Sequence, residues 1–387
     1  MIADRTIVCF ASGYDAPPTS KHHVMHLLAE RNTVLWVNYH ASRAPTASSS
    51  DLLYMGRKLA QIAGGLKRPR RNLHVLTPLV IPLPASPLAR RMNRALLLGQ
   101  IRHALAQLRG GPVQIWSFTP DISYVLGNFG EQAVVYYCVD DFASFSGYDS
   151  EQVLRDEADL CGRADLVVTT SMALQEAKEP MNPNTLLVPH GVDYDHFAQA
   201  IRQDLPAPED VADIPRPRLG FFGLIRDWVN VGMLAEVARK RADWHFVLIG
   251  DSAVDLAPYR KLPNMHFLGR KPYEQLPAYC RHFDVGLIPF EVNDLTYAVN
   301  PIKLREYLAA GLPVVSTPMP EVRLYSHLIR IADSADTFME AIESSLDTDD
   351  AARRQRTRAM AAETWPRKLA AIADRLDACL RGRGTTN

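Results

Sequence analysis

The sequence has few cysteines, and their spacing does not predict disulfide bonds. The five cysteines are an odd number, are widely scattered, and form neither a CxxC pair nor a cysteine–histidine cluster with zinc-ligand spacing. This pattern argues against a disulfide scaffold and a structural zinc site. Because several of them stand in apolar runs, we expect buried free thiols and a reducing, cytoplasmic location.

The sequence also lacks long hydrophobic runs and a dinucleotide fingerprint. No window reaches the roughly 20 apolar residues of a membrane-spanning helix. The first twelve residues carry an early acid and no long apolar core, which is typical of a first strand rather than a secretory signal. No strand is followed by GxGxxG, which disfavours an NAD-dependent dehydrogenase.

The acidic and basic residues balance over the whole chain, so the formal net charge at pH 7 is zero, but one segment is strongly basic. No acidic residue occurs between Asp51 and Asp121, so the cations there have no nearby partner in sequence. The segment contains eleven cations: Arg57, Lys58, Lys67, Arg68, Arg70, Arg71, Arg90, Arg91, Arg94, Arg102 and Arg109.

The chain alternates short apolar strands with longer helical stretches, a pattern typical of α/β domains with parallel sheets. Its 387 residues suit two such domains. We place the first domain at 1–197, a proline-rich linker at 198–217, the second domain at 218–365 and a C-terminal helix at 366–387 that crosses back to the first. We also expect a helix over 121–129, a basic loop over 57–71, and a helical tail that breaks at Trp365-Pro366.

The most informative segment follows a buried strand of the second half. Asn300 and Pro301 suit the start of a helix, on whose first turns Lys303 and Glu306 share one face; Gly311 suits its end. A helix N-terminus at the carboxyl end of a parallel strand binds anions, and Lys303 adds a full charge. The plainer alternative is a surface ion pair between residues three apart.

Several motifs, in order, resemble one family. NPIKLREYLAAGLPVVST (300–317) is similar to the C-terminal signature of family-4-like retaining glycosyltransferases of the glycosyltransferase-B fold. YYCVDDFASF (136–145), EADLCGRADLVVTTSMAL (157–174), VPHGVDYDHF (188–197) and RLGFFGLIRDWVNVGML (218–234) resemble further segments of the same family.

The resemblance implies two facing Rossmann-like domains with an interdomain cleft, a nucleotide-sugar donor on the second domain and a glycan or lipid-linked acceptor on the first. It implies that Gly223 approaches the donor diphosphate, that Lys303 binds phosphate and that Glu306 holds the ribose. Ala298 stands where the family has the first Glu of its E-x7-E motif. The resemblance, apart from this departure at Ala298, implies that the transfer retains the sugar's configuration.

Further site residues are weaker candidates. On the donor side, Arg226 is a candidate for binding phosphate, although a surface arginine is the commoner case. Polar groups near Ala298 are offered by Asn293, Asp294, Thr296 and Asn300.

On the acceptor side, Asp140 and Asp141 follow the central strand as candidate catalytic residues, beside Lys303, although a turn or cap explains them equally well. Gly13, Lys21 and His22 are acceptor candidates, although a glycine turn and helix cap also explain them.

We expect no metal and no cofactor: the DxD pattern Asp193-Tyr194-Asp195 lies at the domain junction, and a three-residue pattern arises easily by chance. Two alternatives to the transferase stay open. One is a non-hydrolysing sugar-nucleotide epimerase of the same fold. The other is a non-catalytic glycosyltransferase-like subunit.

The basic segment 57–109 predicts contact with an anionic membrane or a lipid-pyrophosphate acceptor at the cytoplasmic face. A solvated basic face is the plainer alternative, and the scarcity of aromatics disfavours nucleic acid. One helical stripe in this segment begins cationic and becomes apolar: Arg90, Arg94, Leu97, Ile101, Leu105 and Leu108.

Overall fold

The chain forms two compact units, each built on its own sheet. Residues 1–189 and 369–387 make the first unit, and residues 190–368 make the second. Both combine a largely parallel sheet with helices, which confirms the predicted α/β, Rossmann-like architecture. The computed structural model describes residues 2–39, 65–81, 86–108, 110–202 and 204–383.

The first unit contains an eight-stranded sheet. Its strands and helices in chain order are β1 (Thr6–Ala11), α1 (Ser20–Ala29), β2 (Thr33–Asn38), β3 (Lys67–Arg70), β4 (Leu73–Leu76), α2 (Pro87–Leu108), β5 (Val113–Ser117), β6 (Ala133–Cys138), α3 (Ser150–Arg163), β7 (Leu166–Thr169), α4 (Met172–Lys178) and β8 (Thr185–Leu187).

The strand order of this sheet is β3-β4-β2-β1-β5-β6-β7-β8. All neighbours are parallel except β3, which runs antiparallel to β4. The chain proceeds from β1 to one side and later returns to β5 on the other, so the order reverses between these two strands. Open parallel sheets bind ligands beyond the carboxyl ends of the strands at such a reversal.

The second unit contains a six-stranded parallel sheet. Its elements are α5 (Tyr194–Phe197), α6 (Gln199–Arg202), α7 (Glu209–Ala212), β9 (Arg218–Phe222), α8 (Val231–Lys240), β10 (His245–Ile249), β11 (Met265–Gly269), α9 (Leu276–His282), β12 (Val285–Ile288), α10 (Asp294–Tyr297), α11 (Ile302–Ala309), β13 (Val314–Ser316), α12 (Pro320–Arg323), β14 (Arg330–Ile331), α13 (Ala335–Leu346), α14 (Asp350–Ala359) and α15 (Trp365–Arg383), whose residues from Leu369 onward belong to the first unit.

The strand order of the second sheet is β11-β10-β9-β12-β13-β14, so its reversal lies between β9 and β12. Every residue of β9 and of β12 is buried, because helices cover both faces of the sheet. The loops that follow β9 and β12 therefore define the position where this sheet is expected to bind a ligand.

Two local predictions are wrong. Of the segment predicted as a loop over 57–71, residues 57–64 lie outside the described residues, and the rest contains β3, whose four residues are all exposed at the edge of the sheet. The segment 121–129 is not a helix but a single 3-10 turn over Ser123–Val125. The turn ends at Leu126, whose backbone is extended with ψ 148°, and Gly127 follows with a left-handed φ of +80°.

The boundaries between the units differ in detail from those expected. The structure divides at 189/190, so α6 and α7, within the segment read as a linker, belong to the second unit. The tail does break before Trp365, and Pro366 occupies the first turn of α15, where its missing N–H costs little. Among the described helices, none is both long and apolar enough to cross a membrane. All five cysteines are free thiols, and four of them are buried, as expected.

Candidate active site

Two glycines allow the loops after β9 and β10 to approach each other closely. Gly223 follows β9 with φ +139°, and Gly250 follows β10 with φ +144°. A Cβ added to Gly250 would lie 1.9 Å from the carbonyl oxygen of Gly223. Both positions therefore require glycine, and the Gly223 backbone remains bare at the carboxyl end of β9.

Lys303 lies directly against this glycine turn. It stands in the first turn of α11, and a Cβ on Gly223 would be 3.2 Å from its Cε and 3.4 Å from its Nζ. An ammonium group, a bare glycine backbone and a helix N-terminus thus meet at the reversal of the second sheet. Each of these groups favours an anion, and together they suit a diphosphate.

Two aromatic rings hold the Lys303 ammonium. Its Nζ lies 5.3 Å from the ring centroid of Phe221 and 4.6 Å from that of Phe290. Phe221 belongs to β9 and Phe290 follows β12, so the two strands that flank the reversal each supply one ring. Cation–π attraction of this kind partly compensates the ammonium for the water that it loses.

Glu306 lies one turn further along α11 and is buried. Burial raises the pKa of its carboxyl to about 8, an effect that Lys303 opposes and Asp193 reinforces. Burial lowers the pKa of Lys303 to about 8, and Glu306 opposes this shift. Tyr273 shares the surroundings, since Glu306 and Asp193 both raise the pKa of its hydroxyl beyond the effect of burial.

The start of α11 is fixed by a buried polar network. Asn300 donates from Nδ2 to Glu321 at 2.7 Å and accepts from the Arg305 guanidinium. The expectation that Asn300 caps this helix is wrong, because Pro301 occupies the N-cap position. The Asn300 amide is used within the protein, so it is not free to contact a donor sugar in this arrangement.

Asn293 and Thr296 cap each other. The Thr296 N–H donates to Asn293 Oδ1 at 3.1 Å, and the Asn293 N–H donates to Thr296 Oγ1 at 2.9 Å. Together they start the short helix α10, at whose end Ala298 is buried. Asp294 is exposed in the first turn of α10.

Arg226 follows the glycine turn, and its guanidinium stacks on Trp228 at 5.0 Å. It also lies 3.8 Å from Asp227. The two carboxylates of the DxD pattern have different surroundings. Asp195 pairs with Arg202 at 3.1 Å, whereas Asp193 lies near enough to Glu306 to raise the pKa of the Glu306 carboxyl.

In the first unit, Lys21 and Asp140 are brought together. Lys21 donates to the Ser12 hydroxyl after β1, and its charge opposes the burial that raises the pKa of Asp140 to about 7. Asp141 instead accepts from the Ser144 hydroxyl in a 3-10 turn, which is the turn role considered for it.

Both ring nitrogens of His22 form hydrogen bonds within the protein. Its Nδ1 accepts from the Thr19 N–H at 3.1 Å, and its Nε2 donates to the Tyr14 carbonyl at 3.0 Å. Burial lowers the pKa of His22 to about 3. The capping explanation therefore describes it, while Gly13 is exposed and a Cβ there would meet no atom within 4 Å.

The sequence reasoning missed Phe221, Phe290 and Tyr273. The signal for the two phenylalanines was present, because each stands at or just beyond the end of a strand that flanks the predicted phosphate site. Tyr273 lies in a loop between β11 and α9, where its sequence neighbours give no indication of its proximity to Glu306.

The fold and site define a class of protein. Residues 216–348, which lie within the second unit, match the family model described as glycosyl transferases group 1. The structure is also similar over nearly its whole length to glycosyltransferases of the glycosyltransferase-B fold. The predicted resemblance is confirmed.

Particular relatives agree with this class. The chain is 27% identical over 235 residues to TuaH of Bacillus subtilis (strain 168), which bears the name of a teichuronic acid biosynthesis glycosyltransferase. The match covers 56% of this chain and only 58% of that relative.

Among solved structures, HepE of Anabaena in complex with UDP has a TM-score of 0.66 at 14% identity, covering 97% of this chain and 100% of HepE. Sucrose-phosphate synthase of Thermosynechococcus elongatus has a TM-score of 0.68 at 15% identity, covering 96% of this chain and 98% of that one. At these identities the likeness shows the fold.

Proposed function

We propose that this chain transfers a sugar from a nucleoside-diphosphate sugar to a glycan or lipid-linked acceptor. The observation that carries the proposal is the meeting of Lys303, the Gly223 turn and the start of α11 at the reversal of the second sheet. UDP-sugars are the first donors to test, because HepE was solved with UDP and with UDP-glucose.

The chemistry follows from where charge develops. When the bond between the sugar carbon and the diphosphate breaks, the leaving diphosphate gains negative charge. Lys303 and the N–H groups at the start of α11 stabilise that charge more strongly than they stabilise the bound donor. Glu306 is placed one turn away to hold ribose hydroxyls.

The proposed reaction retains the sugar's configuration, with a phosphate oxygen of the leaving group taking the acceptor's proton. A strong protein base is then unnecessary, and Asp140 orients the acceptor hydroxyl. Burial raises its pKa to about 7, so roughly half of the Asp140 carboxyl groups are ionised at neutral pH and accept the hydrogen bond of the acceptor hydroxyl. Metal is not required in this scheme, because Lys303 and the helix supply the positive potential.

The experiment measures release of free nucleoside diphosphate from a panel of nucleotide sugars, with and without a lipid-linked acceptor, in EDTA and in added manganese. Acceptor-dependent release that survives EDTA, with the product's anomeric configuration retained, supports the proposal. Conversion of the donor to an epimer would favour the epimerase. Absence of turnover with intact nucleotide binding would favour a non-catalytic subunit, and loss of activity in EDTA would contradict the metal-free scheme.

A membrane-facing role for the first unit is part of the proposal. One face of α2 packs inward through Leu97 and Ile101, both fully buried. Another face exposes Leu88, Met92 and Leu96, which recur every four residues.

Cations accompany this apolar face. Arg91, Arg94 and Arg102 are exposed on the same helix. This arrangement suits a helix lying at an anionic membrane surface. Of the basic segment, Arg57, Lys58, Arg109 and the side chain of Arg90 lie outside the described residues.

A further inference from the structure

A polar cleft lies at the edge of the first sheet where three strands end. Asn38 ends β2, Thr77 follows β4, and Tyr14 follows β1; these are neighbouring parallel strands. The cleft that they line encloses about 200 Å3. A single water molecule needs roughly 10–15 Å3, so the cleft has room for a group the size of a phosphate or a carboxylated sugar substituent.

The antiparallel course of β3 brings cations to this cleft. Lys67 pairs with Val75 and Arg70 with Leu73, so β3 begins beside the carboxyl end of β4. Lys67 and Arg68 therefore line the cleft. Arg71 stands at the β3–β4 turn, at the opposite end of the same hairpin.

Hydrogen bonds within the protein hold the floor of the cleft in place. Asn38 accepts from the Tyr14 N–H through Oδ1 at 2.9 Å and donates to Thr77 Oγ1 at 2.9 Å. One side chain thus ties together the ends of all three strands. Because Thr77 accepts from Asn38, its hydroxyl hydrogen remains to donate, and within the described residues it has no acceptor.

The charge at the cleft is positive. Within the part of the chain that the structure describes, neither Lys67 nor Arg68 forms an ion pair. Arg70 lies near the Tyr14 hydroxyl, whose pKa it lowers against the raising effect of burial, but it is not among the described lining residues. Asp15 is the carboxylate among the described lining residues. Lys67 and Arg68, which have no ion-pair partner among the described residues, lie beside a preorganised polar floor and are suited to an anion with neighbouring hydroxyls.

We propose that this cleft binds an anionic group, a phosphate or a carboxylate, carried by the sugar acceptor. The assignment rests on the proposed function, in which the first unit receives the acceptor. It adds the chemical class of that acceptor: an anionic glycan or a phosphorylated carrier, held through Lys67 and Arg68. A neutral sugar would leave both cations without a partner.

The test is isothermal titration of the full chain with two probes, inorganic pyrophosphate and glucuronate. Pyrophosphate is expected to occupy two sites in the wild type, the cleft and the donor site at Lys303. Lys67→Gln and Arg68→Gln should each lower the affinity of one of these sites for pyrophosphate by about tenfold or more, because a charge-assisted contact is lost. Arg71→Gln is the matched control and should leave both affinities within about twofold, since it removes the same charge from the far end of the hairpin.

The variants separate the two claims. Loss of one site in Arg68→Gln and of the other in Lys303→Gln supports both. If Lys303→Gln has no effect while Arg68→Gln abolishes a site, the donor assignment fails and the cleft stands. The cleft assignment is overturned if Lys67→Gln and Arg68→Gln leave the affinity for both probes unchanged. It is also overturned if Arg71→Gln weakens binding as much as they do. The glucuronate arm identifies whether carboxylate or phosphate is the bound anion.

Discussion

Lys303 is the residue on which the donor site depends, and its protonation should control nucleotide affinity. Burial lowers its pKa to about 8 in the free protein. A diphosphate binds the protonated form, so its affinity should be highest below pH 8 and fall as pH rises through that value. Titrations of nucleoside diphosphate from about pH 6.5 to about pH 9.5, a range that brackets the lowered pKa of Lys303, measure this fall.

Lys303→Arg is the control for this pH dependence. A guanidinium stays charged throughout the same range, so the fall in affinity above pH 8 should disappear even if the affinity itself changes. A fall of unchanged size in Lys303→Arg would assign the titration to another group, with Glu306 the first to examine.

Phe290 should act through Lys303 rather than on the ligand. Its ring centroid lies 4.6 Å from the ammonium, and such a contact is worth about 0.5–2 kcal/mol. Phe290→Leu removes the ring while keeping an apolar side chain. The pH at which nucleotide affinity is lost should then move down by about 0.4–1.5 units. Phe290→Tyr keeps a ring and should not shift it; equal shifts in both variants would indicate a packing effect instead.

At the scale of elements, a buried ion pair ties together β6, α3 and α4. Glu157 accepts from Lys178 and from the Tyr136 hydroxyl, both at 2.6 Å, and is fully buried. Glu157→Ala leaves a buried ammonium without its partner, which should lower the free energy of unfolding of the first unit by about 3–5 kcal/mol. Urea denaturation followed by circular dichroism measures the change.

The paired substitution Glu157→Leu with Lys178→Met is the comparison. Replacing both charges by apolar groups of similar size should recover most of the lost stability, because no buried charge remains. A double variant as unstable as Glu157→Ala would show that the pair itself, and not the unpaired charge, determines the cost.

Helices and strands with a strong hydropathy pattern could be predicted from the sequence, and those without such a pattern could not. The buried strands β1, β6 and β9 are apolar runs, apart from the first residues Thr6 and Arg218 of β1 and β9, and this pattern identifies them as strands from sequence. By contrast, β3 has the sequence KRPR, with four exposed residues that carry no strand pattern. It is a strand because β4 offers it a partner, and that tertiary contact is not encoded locally.

The candidate site was predictable to a similar extent. Gly223, Lys303 and Glu306 were expected together, and the structure places all three at one sheet edge. The role of Asn300 could not be read from the sequence, because its partner Glu321 lies 21 residues further along the chain. His22 was likewise ambiguous until its two ring nitrogens were seen to bond Thr19 and Tyr14.

At the scale of the whole molecule, attachment to membranes should depend on α2. The expected result is co-sedimentation with anionic vesicles that declines with salt, and little binding to neutral ones. Met92→Glu places a charge in the exposed apolar stripe and should weaken vesicle binding several-fold. Glu340→Gln, an exposed change in the second unit, is the control. Salt-insensitive binding to both vesicle types, or none to either, would contradict the proposal.

We assign one ligand site to each unit, and the central claim concerns the site of the second unit. Its most direct test is calorimetric titration of UDP, GDP and TDP into the wild type, Lys303→Ala, Glu306→Ala and the exposed control Lys261→Ala. We predict that the best-bound nucleotide loses about 1.5–3 kcal/mol of affinity in Lys303→Ala, is also weakened in Glu306→Ala, and is unchanged in the control. Wild-type affinity in both site variants, with the fold intact, would contradict the assignment of the donor site.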